Sequence, residues 1–193
     1  MTDEATPATR EPLDIVIRPE RGDDPDEVVA IADVVAAAFG STVESDLVVA
    51  IRGSGNLLPG AALVAEHAGR VVGHVMISHV GLRGSGGDRR VASLSPLAVA
   101  PDVHRRGVGT ALVHRAVAVA DELGEPLVVL EGSPTYYVRL GFEFSVPHGI
   151  TIDVPDWAPR EASQLTKLAA YDPAIAGTVV YPEYFDVAAA AHE

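Results

Sequence analysis

The sequence predicts a mixed α/β domain, and three observations carry that prediction. Residues 61–68 and 70–80 are valine-rich runs parted by Gly69, and they read as an antiparallel hairpin. Residues 91–99 form a third strand-like run, broken by Pro101-Asp102. A glycine loop follows, and then Val108, Leu112, Ala116, Val119 and Leu123 recur on one helical face. Helical patterns precede this block and short strand patterns follow it, so one layered domain is expected from the 193 residues.

The elements follow in order. Asp14 to Arg18 reads as a short strand. Asp23-Asp24-Pro25-Asp26-Glu27 is a helix start, with capping acids, a first-turn proline and negative charge at the positive dipole end. Val28, Ile31, Val35 and Ala38 continue it at helical spacing. A second helix is expected after Ser41 or Thr42, carrying Leu47, Val48 and Ile51 and stopping at Gly53-Ser54-Gly55-Asn56. Residues 81–90 read as a glycine-rich connection between strands. Gly124 and Pro126 end the main helix, and Leu127 to Leu130 is a short buried strand. Thr135 to Leu140 reads as a short helix ended by Gly141, and Phe142-Glu143-Phe144 begins another strand. Seven of the ten aromatics lie after Gly141, which marks the C-terminal third as folded. Ala188 to Ala191 reads as a weak helix or a disordered end.

Composition excludes several function classes. The chain has no cysteine, so no disulfide, thiol nucleophile or thiolate metal site is available. The formal net charge of −13 argues against broad nucleic-acid binding. No apolar run approaches the ~20 residues of a membrane span. Met1 to Glu11 lacks the pattern of a secretory signal, so a soluble cytoplasmic protein is expected. The charge is uneven. Residues 1–46 and 116–193 each carry −9, residues 47–82 carry +1 and residues 83–115 carry +4. A basic island in an acidic chain suits a local anion site. The acidic ends suit either recruitment of a cationic partner or solubility.

The loop inside that island has a definite chemistry. It reads Pro101-Asp102-Val103-His104-Arg105-Arg106-Gly107-Val108-Gly109-Thr110 and runs directly into the main helix. Its glycines allow a tight turn and a close approach to a ligand, and the first N–H groups of the helix then face that ligand. Arg105 and Arg106 are expected on top. This is a recipe for a pyrophosphate. A Walker A loop is absent because the lone Lys167 follows Thr166. Leu112 occupies the third glycine position of a dinucleotide fingerprint. There is no Gly-x-Ser-x-Gly elbow. His74 and His79 are five apart on a strand and so on opposite faces, which gives no metal pair.

These residues resemble a known family. Leu97-Ala98-Val99 followed by His104-Arg105-Arg106-Gly107-Val108-Gly109-Thr110 is similar to the acyl-CoA motif of the GNAT superfamily of N-acetyltransferases. Tyr137-Val138-Arg139-Leu140-Gly141-Phe142 resembles that family's Tyr-x-x-x-Gly-Phe segment. Ser95-Pro96-Leu97-Ala98-Val99 and Gly132-Ser133-Pro134-Thr135-Tyr136-Tyr137 resemble the YhbS type of predicted bacterial acetyltransferases. The resemblance implies a central, mostly antiparallel mixed sheet of about seven strands with splayed central strands, flanked by about four helices. It implies one such domain over residues 13–187; the prolines and acids of residues 1–12 read as a disordered tail before it.

The resemblance also implies roles. Acetyl-CoA is the co-substrate, and a small-molecule or peptide amine attacks its thioester directly. Leu97, Ala98 and Val99 offer backbone groups to the pantetheine arm. The backbone N–H groups of Arg105, Arg106, Gly107, Val108, Gly109 and Thr110 cradle the pyrophosphate. His104 and Ser133 join the cofactor-binding set, and Tyr137 lies near the sulfur. Backbone N–H near Val99 stabilises the oxyanion, and Tyr137 is the general acid. Tyr136 is a rival, one residue out of offset. Two positions depart from the family. His104 stands in place of glutamine or arginine, where its imidazole would still donate to a phosphate. Ser95 stands where many members carry a glutamate base, which leaves Glu44, Glu131 or ordered water to take the proton. A non-catalytic acyl-CoA-binding sensor or interaction domain of the same fold is the alternative reading. Residues 52–56 and 181–185 are expected as pocket walls, and the family commonly forms homodimers.

Overall fold

The computed structural model describes residues 11–155 and 157–186. The chain opens with β1 (Val16–Pro19), α1 (Pro25–Phe39) and α2 (Val43–Gly53). Three long strands follow, β2 (Leu57–His67), β3 (Arg70–Arg83) and β4 (Arg89–Val99). Then come α3 (Val108–Glu122), β5 (Leu127–Glu131) and the one-turn α4 (Pro134–Tyr137). The C-terminal third contributes β6 (Glu143–Phe144), β7 (Ile150–Thr151), β8 (Ser163–Lys167) and β9 (Gly177–Val180). The expected tail at 1–12 falls outside the described residues except for Glu11 and Pro12, and the expected Ala188 to Ala191 element falls outside them entirely.

All nine strands share one open sheet, in the order β1-β2-β3-β4-β5-β8-β6, with β9 pairing the end of β3 and β7 pairing β9. Only the β4/β5 and β7/β9 pairs are parallel. The count exceeds the about seven expected because two C-terminal strands are two residues long, and so short a run leaves no periodic signal. The expected connection at 81–90 is also narrower. Leu82 pairs with Arg89, and β9 pairs Gly81 to Arg83, so tertiary pairing extends both strands past a glycine-rich local signal.

The start of α1 follows its sequence. Asp24 caps the N–H groups of Asp26 and Glu27, Pro25 occupies the first turn, and Gly40 ends the helix in the left-handed region. Helices lie on both faces of the sheet. A Cβ on Gly73 of β3 would meet Leu112 and Val108 of α3, so Gly73 faces α3. The neighbouring His74 points the other way, to Glu20, which Arg52 of α2 also holds. Alternation along β3 therefore assigns one face to α3 and the other to α1 and α2. Residues such as Val75, Ile77, Leu112 and Val128 are fully buried between these layers. His79, on the α3 face, bonds Glu125 at 2.7 Å, so the two histidines lie on opposite faces.

Two features open the centre of the sheet. β4 and β5 pair only at Ala92↔Val128 and Ser93↔Val129, while β4 continues to Val99. Between Ile77↔Leu94 and Val75↔Leu97, β4 spends one residue more than β3. That bulge, at Ser95-Pro96, bends β4 immediately after its last pair with β5, and it also accommodates a proline that has no N–H for a ladder. The two strands splay from there.

Candidate active site

The splay opens onto a cleft of about 400 Å³. Leu97 and Val99 of β4 form its floor, and the loop residues Val103, His104, Arg105 and Gly107 form one wall. Val108, Gly109 and Thr110 of α3, Tyr136 of α4, and Ala38 and Phe39 at the end of α1 complete the lining. The backbone geometry explains the floor. The Ala100 N–H donates to the Val72 carbonyl at 2.9 Å, on the β3 side. Peptide groups alternate along a strand, so Val99 and Leu97 turn theirs to the open edge.

The loop presents unused donors. Arg105 and Gly107 both adopt the left-handed region, with φ of 61° and 83°. Glycine takes this conformation freely, and an arginine there marks a backbone held in place by its surroundings. Gly107 caps α3 with no side-chain hydrogen bond, and no acid occupies the first turn. The leading N–H groups of a 15-residue helix therefore face the cleft, with the positive end of its dipole behind them. The geometry suits a pyrophosphate.

A protein-family model described as "Acetyltransferase (GNAT) domain" matches residues 21–145. The uncharacterized N-acetyltransferase YhbS of Escherichia coli is 30% identical over 165 residues, 84% of this chain and 95% of that protein. The chain belongs to the GNAT acetyltransferase family. A second E. coli relative, the uncharacterized N-acetyltransferase YjhQ, is 33% identical over 113 residues, 58% of this chain and 62% of that one. The solved structure of E. coli YhbS in complex with CoA superposes with a TM-score of 0.77 at 31% identity, covering 93% of this chain and 96% of that one. A GNAT family acetyltransferase from Brucella melitensis in complex with acetyl-CoA gives a TM-score of 0.69 at 28% identity, covering 90% and 99%.

Within this GNAT frame, the structure places most of the sequence-derived residues on the cleft and a few elsewhere. Leu97, Val99, His104, Arg105, Gly107, Val108, Gly109 and Thr110 line it. Ala98 departs from the expectation. Its side chain is buried on the opposite face, and by the same alternation its peptide belongs to the β3 ladder. The Arg106 side chain departs from its expected place on top of the loop, because its Nε donates to the Glu11 carbonyl at 3.1 Å; this bears on the side chain and not on the backbone N–H. Ser133 meets Thr135 at 3.0 Å rather than the cleft. His104 is on the cleft, and its Nε2 donates to the Val99 carbonyl at 2.8 Å, so that nitrogen braces β4 and is not free for a phosphate.

The two tyrosines occupy different positions. Tyr136 lines the cleft, and its hydroxyl meets Thr110 and lies over Gly109. Tyr137 is buried beneath it, edge-on to Tyr136 at 4.9 Å and to Phe142 at 5.5 Å. Its ring lies against Gly132, where a Cβ would collide with it. Burial, reinforced by Tyr136, pushes the Tyr137 phenol above its ordinary value and keeps it protonated at neutral pH.

The carboxylates separate likewise. Glu44 is buried on α2, accepts a hydrogen bond from Ser41 at 2.6 Å and lies off the cleft lining. Glu131 is the last residue of β5, beside the splay. It is exposed as a residue, yet desolvation of its carboxylate raises its pKa; a bond from Tyr181 lowers it and the charge of Asp153 raises it. The expected pocket walls do meet, since Asn56 Nδ2 donates to the Tyr184 hydroxyl at 3.1 Å. Arg52 is instead engaged with Glu20 at 2.7 Å. Sequence reasoning missed Ala38, Phe39 and Val103. Phe39, one of three aromatics before Gly141 and the last residue ahead of a helix-ending glycine, was the available signal. No group of histidines and acids among the described residues is disposed to hold a metal, and no helix there is long and apolar enough to cross a membrane.

Proposed function

We propose that this chain is an acetyl-CoA-dependent N-acetyltransferase that moves an acetyl group to a primary amine in one direct step, within a single domain spanning residues 13–187. One observation carries the reading. β4 leaves β5 after Ser93, turns the peptide edge of Leu97 and the Val99 N–H to the open side, and does so beside the uncapped N-terminus of α3. The extended arm of a CoA thioester and its pyrophosphate match that strand edge and that helix end. The likeness to relatives crystallised with CoA and acetyl-CoA supports the same placement. The absence of cysteine fits direct transfer rather than a cysteinyl acyl-enzyme.

In this reading Glu131 takes a proton from the incoming ammonium, and the freed amine nitrogen bonds to the acetyl carbon. The Val99 N–H, on a carbonyl–amide edge braced by His104, stabilises the developing oxyanion. The carbon–sulfur bond then breaks, Tyr137 protonates the leaving thiolate, and the remaining amine proton restores the phenol. Glu131 suits the first role because desolvation raises its pKa toward the working pH, and Tyr137 suits the last because burial keeps it protonated. Thiol release from acetyl-CoA across a panel of primary amines tests the reading. Tyr137→Phe should lower kcat by about 10²-fold while acetyl-CoA affinity stays at the wild-type value. An unchanged kcat removes Tyr137 from the mechanism, and no release with any amine contradicts the activity.

A further inference from the structure

A second group of polar residues sits on the face of the sheet away from α3. Ser78 of β3 pairs with Ser93 of β4, and Ser93 pairs with Val129 of β5, so all three point to the α1/α2 face. Glu131 lies two residues beyond Val129 and shares that direction. Tyr181 follows directly on β9, whose Val180 pairs with Gly81. Its hydroxyl reaches both Glu131 and Ser93. Aromatic rings continue from there, with Tyr181 to Phe185 at 4.8 Å and Phe185 to Tyr184 at 5.3 Å. Ser78 is fully buried opposite Ser93, and its hydroxyl has no hydrogen-bond partner. An orphaned buried hydroxyl beside a carboxylate–tyrosine–serine chain marks a polar site short of one participant.

This patch flanks the splay from the side opposite the glycine loop. A thioester reaching in past α3 would present its carbonyl to it. We propose that the patch seats the acceptor: a primary ammonium on an apolar stem, with the ammonium against Glu131, Tyr181 positioning the Glu131 carboxylate, and the rings of Tyr181, Phe185 and Tyr184 packing the stem. This deepens the acetyltransferase reading and rests on it. The groups that face Glu131 are Tyr181 after β9, Asp153 after β7, Ser93 of β4, and Ser163 of β8, which is the register partner of Glu131 itself. Only the first two titrate. The Tyr181 hydrogen bond favours the Glu131 carboxylate, and the Asp153 charge opposes it. The two residues therefore bias the same proton acceptor in opposite directions.

The experiment uses the full chain, acetyl-CoA and 2-phenylethylamine, with calorimetric acetyl-CoA binding measured on every variant. Tyr181→Phe should raise KM for the amine by about tenfold and move the acidic limb of kcat/KM to higher pH. Asp153→Asn should move that limb to lower pH, a shift that a merely structural residue would not produce. Acetyl-CoA affinity should match wild type in both. Limbs that coincide with wild type in both variants overturn the assignment. So does a wild type that binds acetyl-CoA but releases no thiol with this amine. A wild type that fails to bind acetyl-CoA overturns the underlying acetyltransferase reading instead, which keeps the two failures distinct.

Discussion

Glu20 and Glu27 are buried carboxylates whose partners hold them ionised. Burial pushes Glu20 up, but hydrogen bonds from His74 and Arg52 outweigh it and bring it to about 2, from an ordinary 4.5. Arg18 and then Arg21 hold Glu27 at about 2 as well, against burial. Arg18 reaches it at 2.9 and 2.7 Å, and the Arg21 backbone N–H at 2.6 Å. Each folded-state pKa lies below the unfolded one, so each contributes stability that is complete above 4.5 and drains away as pH falls toward 2. Thermal unfolding followed from pH 6 to pH 2.5 should therefore show Tm falling through that window, and Glu20→Gln should flatten the fall. A parallel fall in Glu20→Gln would mean that Glu20 does not carry it. At the same scale, the resemblance pointed to the loop, which lines the cleft, and to Tyr137, which lies buried beneath Tyr136, while the direction of each side chain was beyond it. His104, Arg106 and Ser133 each find a nearer partner in Val99, Glu11 and Thr135. Such competition is set by three-dimensional neighbours that no linear motif contains.

At the scale of elements, the cleft depends on how closely α3 lies on β3. A Cβ at Gly73 would stand 2.8 Å from Leu112 Cδ1 and 3.1 Å from both Val108 Cγ1 and the Ala98 carbonyl. Gly73 is thus the point where helix and strand approach, and it sets the height of the α3 N-terminus above β4. Gly73→Val should cost about 1–3 kcal/mol of stability through overpacking and weaken acetyl-CoA binding by tilting the loop. Denaturant unfolding and calorimetry check the two effects, and unchanged affinity in a destabilised variant would separate packing from site geometry. The long elements were legible in the sequence because they carry full periods. α1 begins at its Asp24 cap and Pro25 and ends at Gly40, and α2 and α3 span the segments their periodic apolar residues mark. The β7/β9 pairing was not legible, since two-residue strands and non-local partners leave no local pattern.

At the scale of the whole molecule, the linear charge map proves a poor guide to the surface. The +4 segment at 83–115 is not one patch. Arg83, Arg89 and Arg90 sit at the β3–β4 turn, while the glycine loop follows the far end of β4, an 11-residue strand. At about 3.3 Å per residue, that strand holds the two basic groups some 30 Å apart. Arg115 pairs with Glu122 at 2.8 Å, and Arg106 is turned to Glu11. Among the described residues Arg105 is the one arginine that lines the cleft, so the proposed anion site rests chiefly on backbone N–H groups and a helix dipole rather than on net charge. Substituting Gly109 strikes that construction directly. A Cβ there would stand 2.6 Å from the Tyr136 hydroxyl, and a glutamate would add negative charge to the proposed pyrophosphate seat. Calorimetric titration of acetyl-CoA into wild type and Gly109→Glu is accordingly the decisive measurement. One-to-one binding with Kd below ~100 µM in wild type, abolished in the variant, is the predicted result; no binding to wild type, or equal binding to both, would contradict the account.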